Sequence, residues 1–273
     1  MVSPVFSISD NEPNRHIHQP PMGLDSTSWQ AGLDAMAQIS IFIPMKNEAE
    51  NIGSLIKDIL SACGSDDIEV IAVDDGSTDG SADVVRGMMA THGNVRLLRH
   101  DASAGQSAAI HSGVLAAKGE IVATLDGDGQ NPPFELPRLY APFLESGARQ
   151  DLGLVAGQRV KRQDSWSKRY ASKFANRLRS WALNDGTRDT GCGFKAFRRD
   201  AFLTLPYFNH MHRFLPALFK RDGWQVVLVD VSHQPRIAGK SNYSNFQRAL
   251  VGAVDLLGVM WLLRRRKAAK AVE

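Results

Sequence analysis

From Gln38 onward the chain alternates short apolar runs with segments of helical period: "QISIFIP" then "EAENIGSLIKDILSA", "IEVIAV" then "SADVVRGMMATH", "VRLLR" then "SAAIHSGVLAA", "EIVATL" then "PFELPRLYAPFLES". Four strand–helix units in succession leave few folds open. Strands joined through helices run parallel, with right-handed crossovers, so the pattern predicts a Rossmann-like α/β fold: a mostly parallel sheet with helices on both faces. A fifth strand, "DLGLVAG", precedes a basic helical segment, "SWSKRYASKFANRLRSWAL", after which the alternation becomes irregular.

The polar punctuation falls at one edge of that sheet. "PMKNEAEN" follows the first strand, "DDGSTDGS" the second and "DGDGQNPP" the fourth, so all three loops leave carboxyl ends of strands, where open α/β sheets bind ligands. Asp and Gly also make ordinary turns, but turns alone do not require acids at the same edge in three units. Acidic loops converging on one rim repel each other and any anionic ligand unless a divalent cation bridges them. Hard oxygen ligands suit Mg²⁺ or Mn²⁺, which bind through one or two carboxylates plus substrate phosphates. Asp126 and Asp128 stand at i and i+2, which in an extended loop project to one side and reach one ion.

Composition narrows the function classes. The 273 residues are 43% hydrophobic, enough for a globular core, and 32 Lys and Arg against 29 Asp and Glu leave a formal charge of only +3. That balance argues against a nucleic-acid binder, because the clustered cations lie only at the C-terminal end. Cys63 and Cys192 have neither metal-ligand spacing nor a disulfide framework, which suits a reducing compartment. Residues 1–37 lack the basic start and apolar stretch of a secretory signal and read as a polar, Pro-rich extension, with His16 and His18 solvated. Residues 38–235 then form the α/β domain and 236–273 a loop and a basic C-terminal helix. His111, His210, His212 and His233 show no ligand spacing and read as surface or packing residues.

At "IPMKNEAENI", "VDDGSTDGS", "LDGDGQNPP", "GQRVKR", "DTGCGFKAFRR" and "PRIAGKSNYS" the chain resembles the family 2 glycosyltransferases of GT-A fold. The resemblance is to their polyprenyl-phosphate branch, typified by dolichol-phosphate mannose synthase, and it runs from Ile39 to the C-terminus. It implies an inverting, metal-dependent transfer of a sugar from a UDP- or GDP-linked donor to a polyprenyl phosphate. Pro44, Lys46 and Glu48 match the first nucleotide loop, although many relatives carry an aromatic residue at the position of Lys46. Asp75 matches the residue that contacts base or ribose, and Asp74 holds the loop. Asp126 lies toward the nucleotide-sugar; Asp126, Asp128 and Gln130 correspond to the metal site, with Mg²⁺ or Mn²⁺ as the cofactor. Arg159, Arg236 and Lys240 match acceptor-phosphate positions, Arg159 together with Asp126 and Asp128 being counted as catalytic, while Arg162 reads as a solvated cation. Asp189 is either a base for a hydroxyl acceptor or structural, the latter preferred. Trp166 and Trp181 are core anchors or lipid contacts.

The sequence ends in "ALVGAVDLLGVMWLLRRRKAAK". Its apolar part, Leu250 to Leu263, is shorter than the roughly 20 residues that cross a bilayer, and contains Asp255. It reads as a core helix or as an interfacial one, the latter favoured by Trp261 beside Arg264, Arg265, Arg266 and Lys267. The expected setting is therefore the cytoplasmic face of a membrane, held peripherally. Rival readings fare worse. A dinucleotide dehydrogenase needs a G-x-G-x-x-G after the first strand, a sugar-nucleotide pyrophosphorylase a Gly-rich loop there, and neither is present. A non-enzymatic membrane adaptor leaves the acidic rim unexplained.

Overall fold

The protein is described from a computed structural model covering residues 39–64, 68–145, 149–160, 179–180, 182–234 and 245–265, all within one compact unit, Ala37–Glu273. The expected alternation is present: β1 (Ile39–Met45), α1 (Ala49–Cys63), β2 (Ile68–Asp74), α2 (Ser81–Met89), β3 (Val95–Arg99), α3 (Gln106–Ala116), β4 (Ile121–Thr124) and α4 (Leu136–Leu144). β2 and β4 are buried along their whole length and β1 nearly so. Unbroken burial marks parallel strands covered on both faces, which is why they read as apolar runs instead of alternating ones.

β5 (Leu152–Arg159), β6 (Lys195–Arg198), α5 (Arg199–Leu203), α6 (Leu215–Arg221), β7 (Gln225–Val231) and α7 (Asn245–Leu263) follow, with short 3-10 turns at Pro133–Glu135 and Met211–Arg213. The sheet order is β3-β2-β1-β4-β6-β5-β7. β6 runs antiparallel to both β4 and β5, and β7 is parallel to β5. The irregularity beyond the fifth strand has its cause here: the chain re-enters the sheet backwards, through a strand of only four residues. The basic helical segment expected from Ser165 lies largely outside the described residues, Trp166 and Trp181 with it.

Helices cover both faces. On one, Ile52, Leu55, Ile56 and Ile59 of α1, Val85 of α2 and Leu136 and Leu139 of α4 pack on Ile41, Ile43, Val70, Ala72 and Ala123. On the other, Ile110 and Val114 of α3, Phe202 of α5, Leu218 and Phe219 of α6 and Val259 of α7 pack on Phe42, Ile71, Val122 and Phe197. Because β2 and β3 extend from one side of β1 while β4 lies on the other, the crevice above β1 and β4 is the topological switch point of the sheet.

α7 is neither wholly core nor wholly exposed. Val259 is buried and Leu256, Met260 and Leu263 are half-buried against α6, whereas Val254 (64% exposed), Leu257 (67%) and Trp261 (61%) form an apolar stripe facing solvent. Arg221 donates to the carbonyls of Leu262 (3.2 Å) and Arg265 (3.3 Å), tying down the helix end, and the Arg265 guanidinium lies 5.6 Å over the Trp261 ring. Among the described residues no helix is long and apolar enough to cross a membrane.

Candidate active site at the β1–β4 crevice

The first two acidic loops turn their carboxylates inward. Asp74 Oδ1 accepts from the Ser77 amide (2.8 Å), Asp79 from the Ala49 amide (3.1 Å) and Ser81, and Glu48 from Asn51 Nδ2 (2.8 Å). Asn47 in turn accepts from the Thr78 amide at 2.8 Å, so the loops after β1 and β2 are sewn together. Lys46 is exposed and donates to Ser103 Oγ (2.9 Å); Pro44 is the penultimate residue of β1. Two of the three acidic loops at this edge thus use their charge on amides and hydroxyls of the fold.

Asp75 carries this furthest. Its Oδ1 meets His100 Nδ1 and the Ala104 amide at 2.8 Å each, and its Oδ2 meets Ser103 Oγ (2.8 Å) and the Gly105 amide (2.9 Å). Burial pushes its pKa up, but the Ala104, His100, Ser103 and Gly105 bonds outweigh that and hold it below the usual carboxylate value. Four partners fill the carboxylate's lone-pair sites and shape the turn that starts α3.

The loop after β4 behaves differently. Gln106, the first residue of α3, donates Nε2–H to Asp126 Oδ1 (2.8 Å). Burial above all, then the neighbouring Asp128, pushes the Asp126 pKa up to about 6 against the pull of Lys195 and Arg159. The β4–β6 register pairs Thr124 with Lys195; continued two residues, it sets Asp126 opposite Gly193. A β-carbon built on Gly193 would run into the Asp126 carboxylate, so only glycine leaves room. Gly127 similarly lets the loop approach Pro44 O, 3.2 Å from where its β-carbon would stand. Asp128 Oδ1 accepts from the Gln130 amide (3.2 Å); Gln130 O accepts from the Gln234 amide (2.9 Å), anchoring the segment that follows β7. Among the described residues no three His, Cys, Asp or Glu side chains are grouped to hold a metal. Two crowded carboxylates, one of them strained toward protonation, fit a Mg²⁺ or Mn²⁺ ion that completes its shell with donor phosphates and water.

Arg159 gives Nε and Nη2 to Asp189 (2.5 and 2.9 Å), and Asp189 outweighs burial to hold its guanidinium charged. Buried Gln158 accepts from the Arg188 and Asp189 amides (2.8 and 3.0 Å). The "GQR" and "DTGCG" motifs are thus one assembly, and Asp189 is committed to an ion pair. Arg162, Arg236 and Lys240 lie outside the described residues.

Asp126 opens on a cavity of about 120 Å³ lined also by Gln106, Thr124, Thr190, Lys195 and His212. A wider cavity of about 780 Å³, lined by Ser103 to Ser107, His212, Arg213 and Val251, adjoins it through the shared Gln106, His212 and Arg213. His212, expected as a surface or packing residue, is packed into the fold and also lines both cavities. His212 Nδ1 and Ser107 Oγ share a 2.7 Å hydrogen bond, and burial, then Lys195, Arg213 and His210, hold its pKa well below the ordinary 6.5. Its partner lies 105 positions away, so ligand spacing carried no signal for it. Lys195 and Gln106 were equally silent, although Lys195 falls inside a quoted motif.

Residues 40–205 match the family model for glycosyl transferase family 2. The chain belongs to that family. This member is 35% identical over 226 residues to undecaprenyl-phosphate 4-deoxy-4-formamido-L-arabinose transferase of Aeromonas hydrophila, covering 82% of the chain. It spans 65% of that relative, just under two thirds of its length. Its structure is similar to glucosyl-3-phosphoglycerate synthase of Mycobacterium tuberculosis with Mn²⁺, UDP and glucosyl-3-phosphoglycerate: TM-score 0.65, 17% identity, 92% of this chain and 88% of the other. It is also similar to a mannosyltransferase of Pyrobaculum calidifontis with GDP-Man and Mn²⁺: TM-score 0.60, 21% identity, 85% and 66%. At these identities the likeness shows the fold alone, and that fold is the GT-A arrangement expected from the sequence.

Proposed function

We propose that this family 2 member transfers a glycosyl group from a UDP- or GDP-linked sugar to the phosphate of a polyprenyl phosphate, with inversion and with Mg²⁺ or Mn²⁺. The observation that carries the reading is the Asp126–Asp128 pair at the switch point, crowded enough to favour a divalent ion and opening on a small cavity with a mixed polar and apolar wall. Asp126 and Asp128, with Gln130 alongside, would hold such an ion, which would offset charge on the departing nucleoside diphosphate.

The chain's own residues set the rest. The joined loops after β1 and β2, with Pro44, Lys46, Glu48 and the Asp75-built turn, form the nucleotide side of the crevice. Asp126 and its neighbours receive the sugar in the small cavity. An acceptor phosphate oxygen attacks the anomeric carbon as the bond to the diphosphate breaks and its electron pair leaves with the nucleoside diphosphate. A phosphate arrives anionic and needs no strong base, in keeping with Asp189 being committed to Arg159. Arg159 supplies positive charge beside Asp126 and fixes the turn to Gly193, while Arg236 and Lys240 are assigned to the acceptor phosphate. Support for the acceptor comes from the name of the Aeromonas relative and from the exposed Val254–Leu257–Trp261 stripe of α7 with Arg264 and Arg265 at its end. That face fits the headgroup layer of an anionic membrane, on its cytoplasmic side.

The test is a panel of radiolabelled UDP- and GDP-sugars with purified polyprenyl phosphates, scored for lipid-extractable product. Metal-dependent product is expected. Its absence with every donor, from a protein that binds them, would overturn the reading. Leu257→Glu should release the protein from anionic vesicles without changing turnover on a short-chain acceptor; undiminished sedimentation would remove α7 from the membrane.

A further inference from the structure

Lys195 is 5% exposed, yet among the described residues it stands in no structural ion pair of the kind that explains Arg159 or Arg179. Buried ammonium groups are costly and rare unless they are paired or serve a ligand. Its Nζ donates to the Cys192 carbonyl, which occupies one of three donors. A purely structural position in a cavity wall that also includes Ile110 and Leu215 would be filled more favourably by a Met or Leu of similar volume.

The strand register says where the remaining donors lie. Thr124 and Asp126 share a face of the β4 run by the two-residue repeat, and Lys195 is paired directly with Thr124 on the antiparallel neighbour. Lys195, Thr124 and Asp126 therefore line the same side of the sheet, the side covered by α3 and α6, and all three line the cavity of about 120 Å³. The remaining polar wall is Gln106, Thr190, His212 and Arg213, and His212 stays neutral because burial, then Lys195, disfavours its protonation. The cavity so offers two cationic donors, Lys195, whose pKa burial lowers against the pull of Cys192 and Asp126, and Arg213, with a carboxylate that accepts and neutral groups that do both. A polyhydroxylated ring, whose hydroxyls donate and accept at once, is the ligand that such a wall satisfies. An apolar chain would strand the ammonium.

We infer that Lys195 is a donor-sugar-binding residue, its ammonium donating to an oxygen substituent of the transferred glycosyl group inside the small cavity. The inference rests on the transferase reading above and adds to it the residue that recognises the sugar apart from the nucleotide. Asp126 is shared between the two halves of the donor; Lys195 serves the sugar alone.

Isothermal titration with UDP, GDP, UDP-glucose and GDP-mannose in Mn²⁺ separates the halves. For Lys195→Met, affinity for the free nucleoside diphosphate should stay within about twofold of wild type. The additional affinity of the sugar-linked donor should fall by about tenfold or more, the range of a lost charge-assisted hydrogen bond. Lys195→Gln, which keeps a donor toward Cys192, is measured alongside; it should give the same split, and carries the test if the Met variant fails to fold. Equal losses for nucleotide and nucleotide-sugar would overturn the assignment and place Lys195 behind Asp126 as a charge for the metal site. No loss for either would reduce it to a structural residue. If wild type bound neither nucleotide with Mn²⁺, the transferase reading itself would fall, an outcome distinct from any change in the ratio.

Discussion

Two rims of the same sheet use the same residue type in opposite ways. Above β1 and β2, Asp75 has four hydrogen-bond donors and a pKa below the usual range; above β4, Asp126 has one donor among the described residues, Gln106, and a pKa pushed up to about 6. Both follow apolar strands and both sit in Gly-rich loops, so local sequence does not separate them. What separates them is satisfaction. A carboxylate whose lone pairs are filled by its own chain is scaffold, and one left crowded and short of donors waits for a cation or a ligand.

The contrast breaks first at Asp128. Asp128→Asn should lower turnover on the order of 100- to 1,000-fold without lowering the melting temperature. The replacement's amide oxygen still accepts from the Gln130 amide, and its repulsion of Asp126 is gone. A destabilised variant with proportionate residual activity would make the second rim scaffold as well. Gly193→Ala comes next. The added methyl displaces the Asp126 carboxylate, and a shift of about 1 Å at a reacting centre costs about 100-fold in turnover, whereas unfolding in urea should move much less. Unchanged kinetics would show that Asp126 is not held where the chemistry needs it.

Asp75→Asn probes the opposite rim. The amide replaces an acceptor with a donor facing the Ala104 and Gly105 amides, so about 2 kcal/mol of stability should be lost, read from chemical denaturation. If stability holds while nucleotide affinity collapses, Asp75 is a ligand residue in the way the family resemblance implies, and the two rims are alike.

How much of this was legible follows from the range over which each feature is determined. The βα alternation is local, set by the period of side-chain burial, and β1 to β4 with their helices lie where the apolar runs put them. The carboxyl-edge loops were legible because each immediately follows a strand. β6 was not: four residues carry no period, and its place between β4 and β5 depends on pairings with residues 39 to 77 positions earlier. The same holds for the site. Asp126 and Asp128 announce themselves by spacing, but Lys195 and His212 become site residues only through β6 and α6 folding back over α3. Arg159 was visible as a motif cation, yet its partner Asp189 is 30 residues away, and nothing local says that the guanidinium is already engaged.

The smallest expected effect, and the one that tests whether the Asp126 side is under electrostatic tension, is the pH dependence of stability in metal-free buffer. His212 is held neutral in the fold, its pKa well below the ordinary 6.5. Below pH 6.5 the unfolded chain binds a proton there that the folded chain refuses, so stability present above pH 6.5 is lost as pH falls, at up to about 1.4 kcal/mol per pH unit. Asp126 acts in the reverse direction. Its folded pKa, about 6 against an ordinary 3.8, makes the folded state the better proton binder between those values, so acidification below pH 6 returns stability. Wild type should therefore weaken from pH 7.5 to 6 and then flatten. His212→Gln should remove the first decline, and Asp126→Asn should remove the flattening so that the decline continues toward pH 5. A wild-type curve level from pH 7.5 to 5, unchanged in both variants, would mean that neither group is shifted and that the rim above β4 is as relaxed as the rim above β2.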